Sequence, residues 1–177
     1  MPLSVPTFID MLADCRKSAV HLEMRDFYAV ADEAEDFEAW KRGHRTDWDD
    51  REYWWHPYYQ AVSDAVSRGV VVRRVRVVSE PVSDYIRYEH YITEANVRAG
   101  EQVRWLPRRQ ATDIALPGND VWLFDDRLIR IYHFSGEGTL LDQEVSEDPD
   151  LARLCGGAFT DVWNRAIPHA EYSVSES

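Results

Sequence analysis

The sequence predicts a mixed α/β (α+β) fold: helices at the N-terminal end, then a mixed sheet of about four strands with one β–α–β unit and a hairpin, then a closing C-terminal helix. Three observations carry that reading. The apolar period changes from about 3.6 to 2 near Val70. The run Val70–Ser79 is dense in β-branched residues, which suit a pleated sheet better than a helix. A capped amphipathic stretch from Ser83 to Gly100 then leads into a second strand-like run, Gln102–Leu106.

In chain order, Phe8, Met11, Leu12 and Cys15 recur at helical spacing, as do Phe37 and Trp40 within Asp32–Lys41. Asp49 followed three residues later by Glu52 has the form of a capping box. It would open a helix whose face is Trp54, Tyr58, Ala61, Val62, Ala65 and Val66, with Gly69 as its stop. In the first strand Arg73 shares parity with Val71, Val75 and Val77, and Arg74 and Arg76 share the other with Val72 and Val78. Pro81 ends that strand, and Ser83 caps a helix carrying Tyr85, Tyr88, Ile92, Ala95 and Ala99 on one face. A crossover helix of this kind implies parallel strands on either side. Val121–Phe124 and Leu128–Phe134, divided by Asp125-Asp126-Arg127, form the hairpin. Asp148 and Pro149 open the last helix, whose stripe runs from Leu151 to Trp163 before Pro168. Residues 1–172 are expected to form one unit, helical over 1–69 and sheet-bearing over 70–172, with 173–177 a frayed tail.

Composition narrows the function classes. The chain has 177 residues, 45% of them hydrophobic, with 7 Trp, 9 Tyr and 6 Phe, which is enough for a substantial core. A formal charge of −12 disfavours bulk binding to nucleic acid or to an anionic membrane. No stretch is long and apolar enough for a membrane helix, and Met1–Cys15 has no signal-peptide pattern, so a cytoplasmic location is expected. Cys15 and Cys155 read as reduced, buried thiols. No glycine-rich phosphate loop, nucleophile elbow or zinc-type spacing is present, so no cofactor and no metal are expected. Asp125 and Asp126 read as turn residues rather than cation ligands.

The charge is divided. Arg68 to Arg109 contains nine Arg and five acids, a local balance of +4 against −16 for the rest. The strand arginines either pair with acids such as Asp32–Glu38 and Asp47–Glu52 or form an anion or partner site. Parallel strands place their following loops at a common rim, beside a helix N-terminus. The candidate ligand-binding residues there are Glu80, Ser83, Arg108 and Arg109. The plainer alternative is that Glu80 locks one of the two arginines in a structural ion pair. His90, in line with Arg87, Glu94 and Arg98, reads as part of a solvated face unless another segment covers it. His133, at a strand end, completes the catalytic candidates with Glu80 and His90.

The runs Ser79-Glu80-Pro81, Gly100-Glu101-Gln102-Val103-Arg104-Trp105-Leu106-Pro107-Arg108, Leu116-Pro117-Gly118-Asn119-Asp120-Val121-Trp122-Leu123-Phe124-Asp125 and Ala166-Ile167-Pro168-His169 resemble an actinobacterial domain-of-unknown-function family over nearly the whole chain. Its members often lie beside genes for helix-turn-helix regulators, which implies an accessory or regulatory role and supplies no catalytic residues. The element order is also similar to half of a phospholipase D-like domain. The residues two places after the six histidines are Glu23, Thr46, Tyr58, Ile92, Ser135 and Glu171, never the lysine of the phospholipase motif, so catalysis through that motif is excluded.

Two readings follow. The first is a non-enzymatic module that binds a protein partner, such as a transcription regulator, or a small anionic ligand. The alternative is a small enzyme applying acid–base chemistry to an anionic substrate at the sheet edge, which requires Glu80 and a histidine to converge. Direct nucleic-acid binding through the arginine-rich strand is the reading the charge disfavours.

Overall fold

The computed structural model describes residues 5–174. Helix α1 (Phe8–Asp14) opens on a reciprocal cap: the Thr7 hydroxyl accepts the Asp10 amide at 3.1 Å, and the Asp10 carboxylate accepts the Thr7 amide at 3.3 Å. The chain then enters strand β1 (Ser18–Glu23), where the sequence reading had only helices. The strand is central and covered on both faces, so it lacks the apolar–polar alternation that marks a half-exposed strand. Its polar members His21 and Glu23 are themselves buried.

Helix α2 (Ala31–Lys41) follows, and the helix expected from Asp49 to Gly69 is in fact two: α3 (Arg51–Trp54) and α4 (Pro57–Ser67). Pro57 begins α4, where its missing amide is harmless, and pushes His56 into the extended region that divides the two. The Asp49–Glu52 capping box does not form, since the N-cap is Asp50 and its side chain makes no capping bond.

Strand β2 (Val71–Val78), helix α5 (Asp84–Ala99) and strand β3 (Gln102–Pro107) form the expected β–α–β unit. The Ser83 hydroxyl accepts the Ile86 amide at 3.2 Å, and Gly100 takes a left-handed φ of 104° to end the helix. The hairpin is β4 (Val121–Phe124) and β5 (Leu128–Phe134), with Asp125 and Asp126 at φ 52° and 55°. An unanticipated strand, β6 (Leu140–Ser146), pairs with β5. Helix α6 (Pro149–Arg165) and the short strand β7 (Ile167–Pro168) complete the order. The sheet is therefore larger than the four strands expected, and runs β6-β5-β4-β1-β2-β3-β7, with β1, β2 and β3 parallel.

Helix α6 packs on one face, over Leu22, Val75, Val77, Leu106 and Leu123. On the other face α1 and α4 cover Ala19, Val72, Trp122 and Phe124, and α5 covers Val78, Val103 and Trp105. Of the expected frayed tail, Ser173 is exposed, Val174 packs against this last cluster, and residues 175–177 lie outside the described residues. No helix of the described residues is long and apolar enough to cross a membrane.

Candidate ligand site at the sheet edge

The second face of β1 and β2 places Glu23 beside Arg76 and His21 beside Arg74 in parallel register. Both arginines point inward and are buried, which takes them out of any nucleic-acid surface. Arg74 bonds Glu23 at 2.7 Å and Glu101 at 3.0 Å, and Arg76 bonds Glu23 and, at 2.8 Å, Glu89. Their carboxylates thus come from β1, α5 and the start of β3, not from the acidic N-terminal runs. The Tyr58 hydroxyl accepts from Arg74 at 2.7 Å, and Asn96 donates to Glu101 at 2.9 Å. Burial opposes ionisation of Glu23, but Arg76 and Arg74 outweigh it and hold the carboxyl at about 2. His21 stacks on Trp122, and burial pushes its imidazole well below the ordinary range. This network of two guanidinium groups and three carboxylates is a fixed floor for the parallel strands.

At the carboxyl ends of those strands the chain builds a second polar cluster. Asp26, after β1, accepts the Ser79 amide at 2.8 Å and the Ser79 hydroxyl at 2.7 Å. Arg108, after β3, donates from Nε to Ser79 Oγ at 3.0 Å and from Nη2 to the carbonyls of Val77, at 3.2 Å, and Met24. Three strand ends are thereby tied together through one guanidinium group. Beside it lies a cavity of about 720 Å³ lined by Ser79, Glu80, Arg108, Arg109, Thr112 and Tyr172, among others.

Glu80, Arg108 and Arg109 therefore share one rim. The expected Glu80–arginine lock is replaced by a bond from the Tyr172 hydroxyl to Glu80 at 3.1 Å. Ser83 is spent otherwise, capping α5 and donating to the Asp26 carbonyl at 2.8 Å. It does not line the cavity.

The two histidines do not converge with Glu80. His90 Nε2 lies 2.9 Å from the Tyr172 carbonyl, so His90 and Glu80 engage opposite ends of Tyr172. The face of α5 expected to be solvated is covered at His90 by Trp105, His169 and Tyr172. Burial lowers the His90 pKa, and burial together with His90 takes His169 to about 4. His133 sits on β5, with β4 and β1 between it and β2, a gap of about 14 Å at ordinary strand spacing. There it meets Glu144 at 3.1 Å. Asp26 and Tyr172 were missed by the sequence reading, because neither lies in a patterned element and both act only through contacts across the fold.

The family model described as "Domain of unknown function (DUF6879)" matches residues 6–174. The chain belongs to that family. No curated protein matches it. Among solved structures it is similar to Nuc, a phospholipase D family member from Salmonella typhimurium, at 15% identity, covering 90% of this chain and 86% of that one with a TM-score of 0.49. It is similar to NucT from Helicobacter pylori at 11% identity, covering 90% and 87%, with a TM-score of 0.48. TrmBL2, an archaeal chromatin protein, matches at 13% identity over 89% of this chain and 47% of that one, with a TM-score of 0.47. Likeness at this level says nothing about chemistry.

Proposed function

We propose that the chain is a non-enzymatic binding module whose sheet-edge cavity takes a small anion, a carboxylate or a phosphate. The observation that carries this is the state of the two guanidinium groups. Arg108 is held in place by Ser79 and by two backbone carbonyls, so little freedom is lost when it meets a ligand. Arg109 is exposed on the same cavity and makes no hydrogen bond or ion pair to other described residues. Of the carboxylates beside them, Glu80 is engaged by Tyr172, and Asp26 is engaged by Ser79 and lies 3.9 Å from Arg108 Nη2. A planar fork of this kind suits oxyanions. The separation of Glu80 from His90 and His133 favours binding over acid–base catalysis. In the regulatory setting that the family resemblance implies, occupancy of the cavity would be what the module reports to a helix-turn-helix partner.

Titration of labelled protein with inorganic phosphate, at ionic strength matched with potassium chloride, tests the reading. Saturable amide shifts confined to residues 79–82 and 108–112 are expected, weakened about tenfold in Arg109→Ala. Shifts scattered over the surface, or unchanged in the variant, overturn it.

A further inference from the structure

A second cavity, of about 540 Å³, lies between α2, the 44–48 loop, α3, the start of α4 and α5. Its chemistry is unlike that of the sheet edge. Seven of its lining side chains are aromatic and three are carboxylates, and no lysine or arginine lines it among the described residues. The rings form a continuous wall: Trp48 meets Trp54 at 5.5 Å and Tyr91 at 5.7 Å between centroids, and Trp40 meets Tyr88 at 5.8 Å. Asp32, Glu33 and Asp36 on α2 supply the acidic side.

An aromatic wall beside carboxylates selects for positive charge. The ring faces are the negative ends of a quadrupole, and they replace part of a poorly hydrated cation's water without demanding directional bonds. The wall already behaves so at its margins. The Arg45 guanidinium rests 5.2 Å from the Trp40 centroid and 5.5 Å from that of Tyr91, and Arg98 rests 5.9 Å from Trp48. None of these guanidinium groups lines the cavity itself. The negative field reaches the wall: beyond the effect of burial, Asp36 pushes the Tyr88 hydroxyl up. Burial, reinforced by Glu89, raises Glu33 to about 8. A small organic ligand is of the right size for the volume.

We infer that this cavity is a binding site for a small organic cation of the alkylammonium class, held by the rings of Trp40, Trp48 and Tyr91 and by the α2 carboxylates. The site is separate from the sheet-edge cavity, with no lining residue in common, and stands whether or not that cavity binds anions.

Tryptophan fluorescence of the full chain, titrated with choline, with tetraethylammonium and with 3,3-dimethylbutan-1-ol (the neutral isostere of choline), tests the inference. Saturable binding of a cation is expected, with the isostere at least about tenfold weaker. Asp36→Asn, an exposed change that keeps shape, should weaken the cation about threefold, and Trp48→Leu about tenfold, while Arg109→Ala leaves it unchanged. Equal binding of choline and its isostere overturns the inference. So does the absence of saturation by either cation below about 10 mM, or an unaltered affinity in both cavity variants.

Discussion

Arg76 carries two bonds that no other side chain replaces, one to Glu23 and one to Glu89 at 2.8 Å. Removing one member of a buried charge network leaves the others uncompensated, at a cost of about 3–5 kcal/mol. Arg76→Met is therefore expected to lose that much in chemical denaturation; a loss below about 1 kcal/mol would show the network to be energetically idle. Asp120 acts in the opposite sense. Burial, with the negative charge of Glu23, raises its carboxyl from 3.8 to about 7, although it accepts the Met24 amide at 2.9 Å and the Tyr28 hydroxyl. The native group keeps its proton where the unfolded one has lost it, so folding takes up a proton between about pH 4 and 7. Stability from this group falls as pH rises through that window. Asp120→Asn cannot ionise and retains an oxygen for the Met24 amide. It should gain on the parent by on the order of 2 kcal/mol between pH 5 and pH 8, and a constant difference across that range would refute the assignment.

Among elements, β1 depends most on a residue far from it in sequence. One Asp125 carboxylate accepts the amides of Arg16, Lys17 and Ser18, at 3.0, 2.6 and 3.1 Å, and the Cys15 thiol at 3.3 Å. The hairpin turn thus fastens the start of the central strand, the local hydrogen-bonding role expected of a turn acid, here directed at a different element. Asp125→Ala leaves three successive amides without that acceptor, and a loss of about 2–3 kcal/mol is expected by thermal unfolding. An unshifted transition would mean that water replaces the carboxylate at no cost. The helices were legible to the degree that their signals are local. Ser83 and Asp148 cap as their sequence contexts imply, while the Asp49 signal failed because the helix opens one residue later, on Asp50, whose side chain makes no capping bond. β6 was not legible because most of it is exposed, so it carries no apolar stripe.

Across the whole molecule, burial is uneven. β1 and β2 have neighbours on both sides and helices on both faces, whereas α2 has no fully buried residue and β6 is an edge strand. Native-state amide exchange should therefore be slowest in Val72–Val78 and Ala19–Glu23 and faster by several orders of magnitude in α2 and β6. Uniform protection across these four elements would contradict this arrangement. The layout also explains how much of the candidate site could be read in advance. Glu80, Arg108 and Arg109 reach one rim because a β–α–β crossover forces it. The engagement of Glu80 and the covering of His90 follow from Tyr172, which returns across the sheet only after α6 has been laid down.

The amino-acid sequence by itself determined the parallel β2–α5–β3 unit, the hairpin and the capped closing helix, because each rests on periodicity and caps within a few residues. Only the tertiary structure decided that Ser18–Glu23 is a strand at the middle of the sheet and that Arg74 and Arg76 face inward. The carboxylate partners that stabilise those choices stand 27 to 53 residues from Arg74 and Arg76, apart from Glu89 at 13. A charged side chain can be buried only where such partners have already been brought to it.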